Sequence, residues 1–143
     1  MFRFAFAPTF APAFAPAFAL TLAAATAAHA VDDGQERGRY LVEQVGMCSD
    51  CHSPRDPTGA FIRSKWLTGA PIVVAPKAPM PWADYAPALA GLPGHYTEAQ
   101  FVNFLQTGLR PDGSQPNPPM PPYRFSGPDA AAVAAYLKSL RAE

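Results

Sequence analysis

The sequence contains few of the side chains that bind metals or carry thiol chemistry. Its 143 residues include only two cysteines, Cys48 and Cys51, and three histidines. A zinc site is excluded, because the two cysteines and His52 are too close in sequence and His95 alone would have to complete the ligand set. A thiol redox protein is disfavoured, since the chain lacks the alternating strand and helix pattern of that class.

Charged residues of either sign are also scarce. Lys, Arg, Asp and Glu make up 15% of the chain, with 11 bases against 11 acids. Without residues 1–30, whose single charge is Arg3, 10 bases remain against 11 acids, so the formal charge is about −1. This balance argues against nucleic acid or an anionic membrane surface as a partner.

The first 30 residues lack acids altogether and end in Ala28-His29-Ala30. This pattern predicts a secretory signal peptide at residues 1–30 and a mature chain that starts at Val31. The proline-free part, residues 17–28, is too short to span a bilayer. An uncleaved membrane anchor is the alternative. We expect export to a bacterial periplasm.

Both cysteines fall in the pentapeptide Cys48-Ser49-Asp50-Cys51-His52. Cys-x-x-Cys-His is the attachment signature of a c-type haem, because two thiols one helical turn apart can each add to a haem vinyl group. The adjacent His52 then supplies an axial ligand to the iron. The sequence therefore predicts one covalently bound haem c.

A second axial ligand is expected from a methionine, the usual partner of histidine in electron carriers. Met120 is favoured, because the prolines on both sides of it restrict its backbone. Met80 is the alternative. His95 is a third candidate, although a surface histidine is the favoured interpretation of it. Met47 precedes Cys48 directly and would lie on the same side of the haem as His52.

Periodicity and capping residues predict three main helices. They run from about Gln35 to Val45 with an inner stripe of Tyr40, Leu41 and Val45, from Thr97 to Thr107, and from Gly127 or Pro128 to Arg141. Capping boxes are expected at Thr97 with Gln100 and at Ser126 with Asp129. Residues 53–94 are rich in proline and glycine and are expected to form an ordered loop around the haem. Within that loop we expect a short helix near residues 82–85 and an extended piece at residues 72–74.

Over residues 31–143 the sequence resembles class I c-type cytochromes, and it is similar to the single-haem cytochrome domains of bacterial periplasmic dehydrogenases. The matching stretches are residues 38–42, 48–54, 87–92, 107–108 with 112–113, 119–121 and 134–140. The resemblance implies an all-α, small cytochrome c fold with long loops around one haem. It also implies that the first and last helices cross closely, with Gly38 and Tyr40 near Tyr136.

The resemblance implies roles for individual residues. Cys48 and Cys51 would carry the thioethers, His52 would be the proximal iron ligand and Met120 the distal one. Pro87 would accept a hydrogen bond from the proximal imidazole through its carbonyl, with Pro71 as the alternative. For Trp82, Trp66 and Tyr123, packing is the simpler interpretation, although each could bind a haem propionate.

These residues predict a periplasmic one-electron carrier rather than an enzyme, because an iron with both axial positions filled has no open site. Its partners would be a dehydrogenase and an oxidase or another cytochrome. The alternatives are a haem-binding subunit of a larger complex, and a sensor or enzyme with a labile distal ligand. A two-haem peroxidase is excluded by the single Cys-x-x-Cys-His.

Overall fold

The computed structural model describes residues 33–140, so the expected signal peptide and its cleavage site before Val31 lie outside the described part. Within residues 33–140, no helix is long and apolar enough to cross a membrane. The elements in chain order are α1 (residues 33–40, continued by a π-helical turn, Leu41–Val45), α2 (Ser49–His52), a 3₁₀ turn (Arg63–Lys65), β1 (Ala70–Pro71), β2 (Tyr85–Ala86), α3 (Glu98–Thr107) and α4 (Gly127–Ser139).

Helix α3 begins and ends where its capping residues predict. The Thr97 side chain accepts a hydrogen bond from the Gln100 backbone N–H, and the Gln100 side chain accepts one from the Thr97 N–H. Gly108 ends the helix in the left-handed region, at φ 68°. The helix buries Phe101, Phe104 and Leu105.

Helix α4 begins at Gly127, as predicted, but differs from the prediction at its C-terminal end and in its capping box. It stops at Ser139, because Leu140 has left the helical region at ψ 116°, and Arg141 lies outside the described residues. At its start, the Ser126 side chain accepts a hydrogen bond from the Asp129 N–H, but the predicted reciprocal bond of the capping box is absent. The Asp129 carboxylate instead accepts a hydrogen bond of 2.9 Å from Arg37 Nε and so links α4 to α1.

Helices α1 and α4 cross at Gly38, as expected. The buried face of α1 consists of Gly38, Leu41 and Val42, which lie three and four residues apart. The predicted inner stripe is therefore confirmed at Leu41 but wrong at Tyr40 and Val45, each of which is about half exposed. The π turn interrupts the helical periodicity at its end, and Val45 lines the cavity described below.

The loop of residues 53–94 has more structure of its own than was expected. The predicted helix near residues 82–85 is wrong, since Tyr85 and Ala86 pair antiparallel with Pro71 and Ala70. Of the expected extended piece at residues 72–74, only Ile72 continues this pairing, through a 2.8 Å bond from its N–H to the Asp84 carbonyl. This short ladder qualifies the all-α prediction, and α2 adds a fourth helix to the three expected in residues 33–140.

Leu67 fixes the middle of this loop to the core. It is fully buried, and its N–H donates to Ser53 Oγ at 2.9 Å. Its carbonyl accepts from the N–H groups of Leu89 and Ala90 at 2.8 and 3.1 Å. The loop is thus attached to the end of α2 by the protein's own hydrogen bonds.

Candidate functional site

A cavity of about 600 Å³ lies between the helices and the long loop. This volume falls within the range of cofactor sites in proteins, and most of the lining side chains are apolar or aromatic. Of the residues considered in the sequence as haem ligands or haem contacts, eight line the cavity: Met47, Cys48, Cys51, His52, Pro87, His95, Met120 and Tyr123.

Helix α2 holds both thiols at the cavity. It is a single turn, in which the His52 N–H donates to the Cys48 carbonyl at 2.9 Å. Neither cysteine forms a disulfide, and Cys51 is exposed. Burial raises the pKa of the Cys48 thiol to about 11. A redox-active cysteine pair needs a lowered thiol pKa, so this environment does not favour thiol–disulfide chemistry.

The His52 imidazole is buried and has a defined orientation. Its Nδ1 lies 2.6 Å from the Pro87 carbonyl oxygen. Because a carbonyl can only accept, Nδ1 must carry the proton in this pair. Burial lowers the pKa of His52, although the bond to Pro87 partly offsets that effect, so the neutral ring is favoured. Nε2 is then the nitrogen whose lone pair is free to bind a metal ion.

Pro71, the alternative partner for His52, has a different place in the structure. It is exposed and pairs with Tyr85 in the short ladder. The carbonyl beside the imidazole is therefore that of Pro87, 35 residues after His52.

Two of the three candidates for a distal ligand line the same cavity as His52. Met120 is partly buried and packs against the core. His95 is exposed, lines the cavity and packs against Tyr96 with tilted rings whose centroids are 4.5 Å apart. Met80 is half exposed and is not among the lining residues. Met47 lines the cavity but directly precedes Cys48.

The three aromatic residues considered in the sequence take different positions. Trp82 does not line the cavity, and its indole N–H donates to the Val74 carbonyl at 2.9 Å, so it is not available there for a propionate. Trp66 packs against the core. Tyr123 lines the cavity, but its hydroxyl donates to the Gly46 carbonyl at 2.5 Å and its ring stacks on Phe125.

Arg110 also lines the cavity, and sequence reasoning did not single it out. It lies between the end of α3 at Gly108 and the turn at Asp112 and Gly113. No spacing or periodicity marks it, because the cavity it lines is formed by residues far away in sequence. A position next to the matched Gly108 and Asp112-Gly113 was the one available hint.

No protein-family model matches the chain. Similar proteins include one named "Diheme cytochrome c-type" from Cereibacter sphaeroides, 32% identical over an alignment of 113 residues that covers 76% of this chain and 36% of that protein. The "Fructose dehydrogenase cytochrome subunit" of Gluconobacter japonicus is 28% identical over 80% of this chain and 24% of its own length. The "Alcohol dehydrogenase (quinone), cytochrome c subunit" of Gluconobacter oxydans is 35% identical over 74% of this chain and 24% of its own length. The chain thus spans well under half of each relative.

Proposed function

This chain is a c-type cytochrome related to the cytochrome subunits of bacterial dehydrogenases, and we propose that it carries single electrons through one covalently attached haem c. When bound, haem supplies an iron that alternates between the ferrous and ferric states. The observation that carries the proposal is the placement of Cys48, Cys51 and His52 on one turn of helix at a largely apolar cavity.

Cys48 and Cys51 are the attachment points in this proposal. Their thiols are not joined to each other, and both line the cavity. Burial raises the pKa of Cys48 to about 11, so at neutral pH it is a protonated thiol that would be available for a thioether bond. The residues present therefore fit a covalently held haem.

His52 is the proximal ligand, and Pro87 is the residue that orients it. The Pro87 carbonyl keeps the proton on Nδ1 and thus leaves Nε2 for the iron. The bond also makes the imidazole a stronger donor, because a hydrogen bond from Nδ1–H raises the electron density on the ring.

Met120 is the distal ligand in this proposal. Support comes from its position in the cavity lining, its partial burial and the prolines on both sides of it. Met80, by contrast, is half exposed and is not among the cavity-lining residues. His95 remains the competitor, since it lines the same cavity.

With His52 and Met120 on the iron, no coordination position would be open, and electron transfer rather than catalysis follows. The partner we propose is a dehydrogenase, with an oxidase or another cytochrome as the electron acceptor. The names of the relatives support a dehydrogenase partner, because two of them are cytochrome subunits of such enzymes. We further propose periplasmic export, cleavage before Val31, and one haem in this chain, which has one Cys-x-x-Cys-His.

Two measurements test the proposal: the visible spectra and the intact mass of the protein. Both are made on protein exported from a bacterium that matures c-type cytochromes. We expect the mass of residues 31–143 plus one haem. We also expect the weak band at the red end of the ferric spectrum that accompanies Met–iron ligation. Met120→Ala should abolish this band, whereas the matched changes Met80→Ala and His95→Ala should leave it intact.

Three outcomes would contradict parts of the proposal. Loss of the band in Met80→Ala or His95→Ala would reassign the distal ligand. Carbon monoxide binding to the reduced wild-type protein at neutral pH would favour a sensor or enzyme with a labile distal ligand. A mass without haem would refute the cytochrome function of this chain altogether.

A further inference from the structure

Tyr123 forms a hydrogen bond that links two distant parts of the chain at the cavity. Its hydroxyl donates to the Gly46 carbonyl at 2.5 Å, across 77 residues of sequence. Tyr123 lies three residues after Met120, and Gly46 lies two residues before Cys48. The bond therefore joins the segment that carries the proposed distal ligand to the turn that precedes the attachment helix α2.

The same hydroxyl lies close to the first attachment cysteine. A Cβ placed on Gly46 would lie 3.2 Å from Cys48 Sγ and 3.5 Å from the Tyr123 hydroxyl oxygen. Burial raises the pKa of Tyr123 to about 12, so the phenol keeps its proton at neutral pH and remains a hydrogen-bond donor. All three residues line the cavity, so the bond forms part of the cavity wall.

The segment around Met120 has other anchors, and they lead to other parts of the fold. Before Met120, the Pro118 carbonyl accepts a hydrogen bond from the Ala83 N–H at 2.7 Å, which attaches the segment to the long loop. After Met120, the Phe125 N–H donates to the Leu105 carbonyl at 3.1 Å, which attaches it to α3. Neither bond reaches the helical turn that carries the two cysteines.

Tyr123 alone ties this segment to the side of the cavity that carries His52. In the described part of the chain, no other member of residues 116–125 forms a hydrogen bond with residues 41–52. The Tyr123 ring stacks on Phe125, with ring centroids 5.1 Å apart and an angle of 16° between the planes. Packing thus orients the ring, and the hydroxyl makes the connection.

We infer that Tyr123 is a positioning residue that keeps Met120 on the iron by tying its segment to the turn before Cys48. This inference rests on the proposed function, since it requires the covalent haem and Met120 as the distal ligand. In that arrangement the thioethers and His52 fix one side of the site, so the distal ligand needs its own segment at a set distance from that side. The hydroxyl bond supplies this restraint and lowers the cost in conformational entropy of holding Met120 in place.

Release of Met120 is the event that this restraint opposes. An added ligand can bind the iron only when Met120 has left it. In the released state the segment moves away from the turn, and the bond from Tyr123 to Gly46 is broken. Removing the hydroxyl therefore favours the released state by about the net contribution of one hydrogen bond, which is a roughly fivefold change in the equilibrium constant.

Titration of the ferric, haem-loaded protein with imidazole at neutral pH tests this role. Loss of the weak red-end band of Met–iron ligation reports the displacement of Met120. Tyr123→Phe keeps the stacked ring and removes only the hydroxyl, so imidazole should bind to this variant about fivefold more tightly than to the wild type. A band already absent from Tyr123→Phe before imidazole is added would be the same effect at a larger size.

Tyr136→Phe is the matched control. It also removes one hydroxyl bond between distant parts of the chain, the 2.6 Å bond to Glu43, but Tyr136 is not among the cavity-lining residues. This variant should be less stable than the wild type in urea and should bind imidazole with the wild-type affinity. It separates an effect on the distal ligand from a general loss of stability.

The other outcomes overturn either the inference or the proposed function. Wild-type affinity for imidazole in Tyr123→Phe would refute the inference and leave the cytochrome function standing. An equal gain in Tyr136→Phe would refute it as well, since a general loosening of the fold would then explain both. A Tyr123→Phe protein that lacks covalent haem would also refute it, because the residue would then act in attachment at Cys48 and not on Met120. Absence of covalent haem in the wild type would instead refute the proposed function itself.

Discussion

Replacing Gly38 by alanine should strongly destabilise the haem-loaded protein. A Cβ at this position would overlap the Ala132 carbonyl oxygen and would lie 2.6 Å from the Ala132 carbonyl carbon and 2.8 Å from Tyr136 Cβ. The first two atoms belong to the α4 backbone, so no side chain can rotate to relieve the overlap. The helices must separate, and the core between them must open.

The magnitude follows from two opposing effects. Overpacking of a core costs about 1–3 kcal/mol, and overlap with backbone belongs at the upper end of that range. Alanine is favoured over glycine in a helix by about 1 kcal/mol, which offsets part of the cost. We expect a net loss of about 2 kcal/mol in the free energy of unfolding, or a melting temperature lower by roughly 10 °C in a domain of this size.

Urea denaturation followed by circular dichroism measures this change, as a lower midpoint with an unchanged slope. Gly34→Ala is the matched control, because Gly34 lies in the same helix and a Cβ there would meet nothing within 4 Å. This control should be as stable as the wild type or more stable. If Gly38→Ala unfolds at the wild-type midpoint, or shifts together with Gly34→Ala, the close crossing of α1 and α4 is incorrect.

Two further predictions concern a helix cap and a buried phenol. Thr97→Ala should lower the free energy of unfolding by about 1 kcal/mol, because it removes the acceptor for the Gln100 N–H. Thr97→Ser keeps a hydroxyl acceptor and should lower the free energy of unfolding much less. Equal losses of the two variants in urea denaturation would argue against the cap. The Tyr136 hydroxyl donates to Glu43 at 2.6 Å, and burial raises the pKa of Tyr136 to about 12. Since this folded-state pKa exceeds the ordinary value of about 10, the stabilisation is complete below pH 10 and is lost as the pH rises toward 12. Urea midpoints should therefore fall less steeply over this range in Tyr136→Phe than in the wild type, and parallel falls would show that Tyr136 does not contribute.

The ends of helix α3 could be predicted from the sequence because the signals are local. Thr97 and Gln100 satisfy each other's backbone groups within one turn, and Gly108 adopts the left-handed conformation that ends the helix. Neither interaction depends on the rest of the fold. The start of α4 was predicted on the same basis, through Ser126 and Pro128.

Asp129 and Tyr40 show where local reasoning fails. In a capping box, the Asp129 carboxylate would accept a hydrogen bond from the backbone of its own helix. In the structure it accepts one from Arg37 instead, 92 residues earlier. The charge-assisted bond to a guanidinium is stronger than a bond to a neutral backbone N–H. Tyr40 was assigned to the inner stripe by its apolar ring, whereas the need of Gly38 to face α4 determines which side of the helix is buried.

The candidate site divides in the same way. Cys48, Cys51 and His52 are adjacent in sequence, so the motif alone brings them together. The contact of His52 with Pro87 spans 35 residues and followed from the family resemblance, not from any pattern in the loop. Arg110 was missed because a single arginine in a turn carries no periodic signal, and its surroundings exist only in the folded chain.

The short ladder of β1 and β2 has a role that its size does not suggest. Ala70 pairs with Ala86. Gly69, just before Ala70, and Pro87, just after Ala86, both contact His52. The Gly69 N–H donates to the His52 carbonyl at 2.8 Å, and the Pro87 carbonyl accepts from the imidazole at 2.6 Å. The backbone and the ring of His52 are thus held by the two sides of one ladder. A shift of register by one residue would move Pro87 along the strand by about 3.3 Å, beyond hydrogen-bond reach of Nδ1. The pairing of these two alanines therefore contributes to determining which imidazole nitrogen carries the proton.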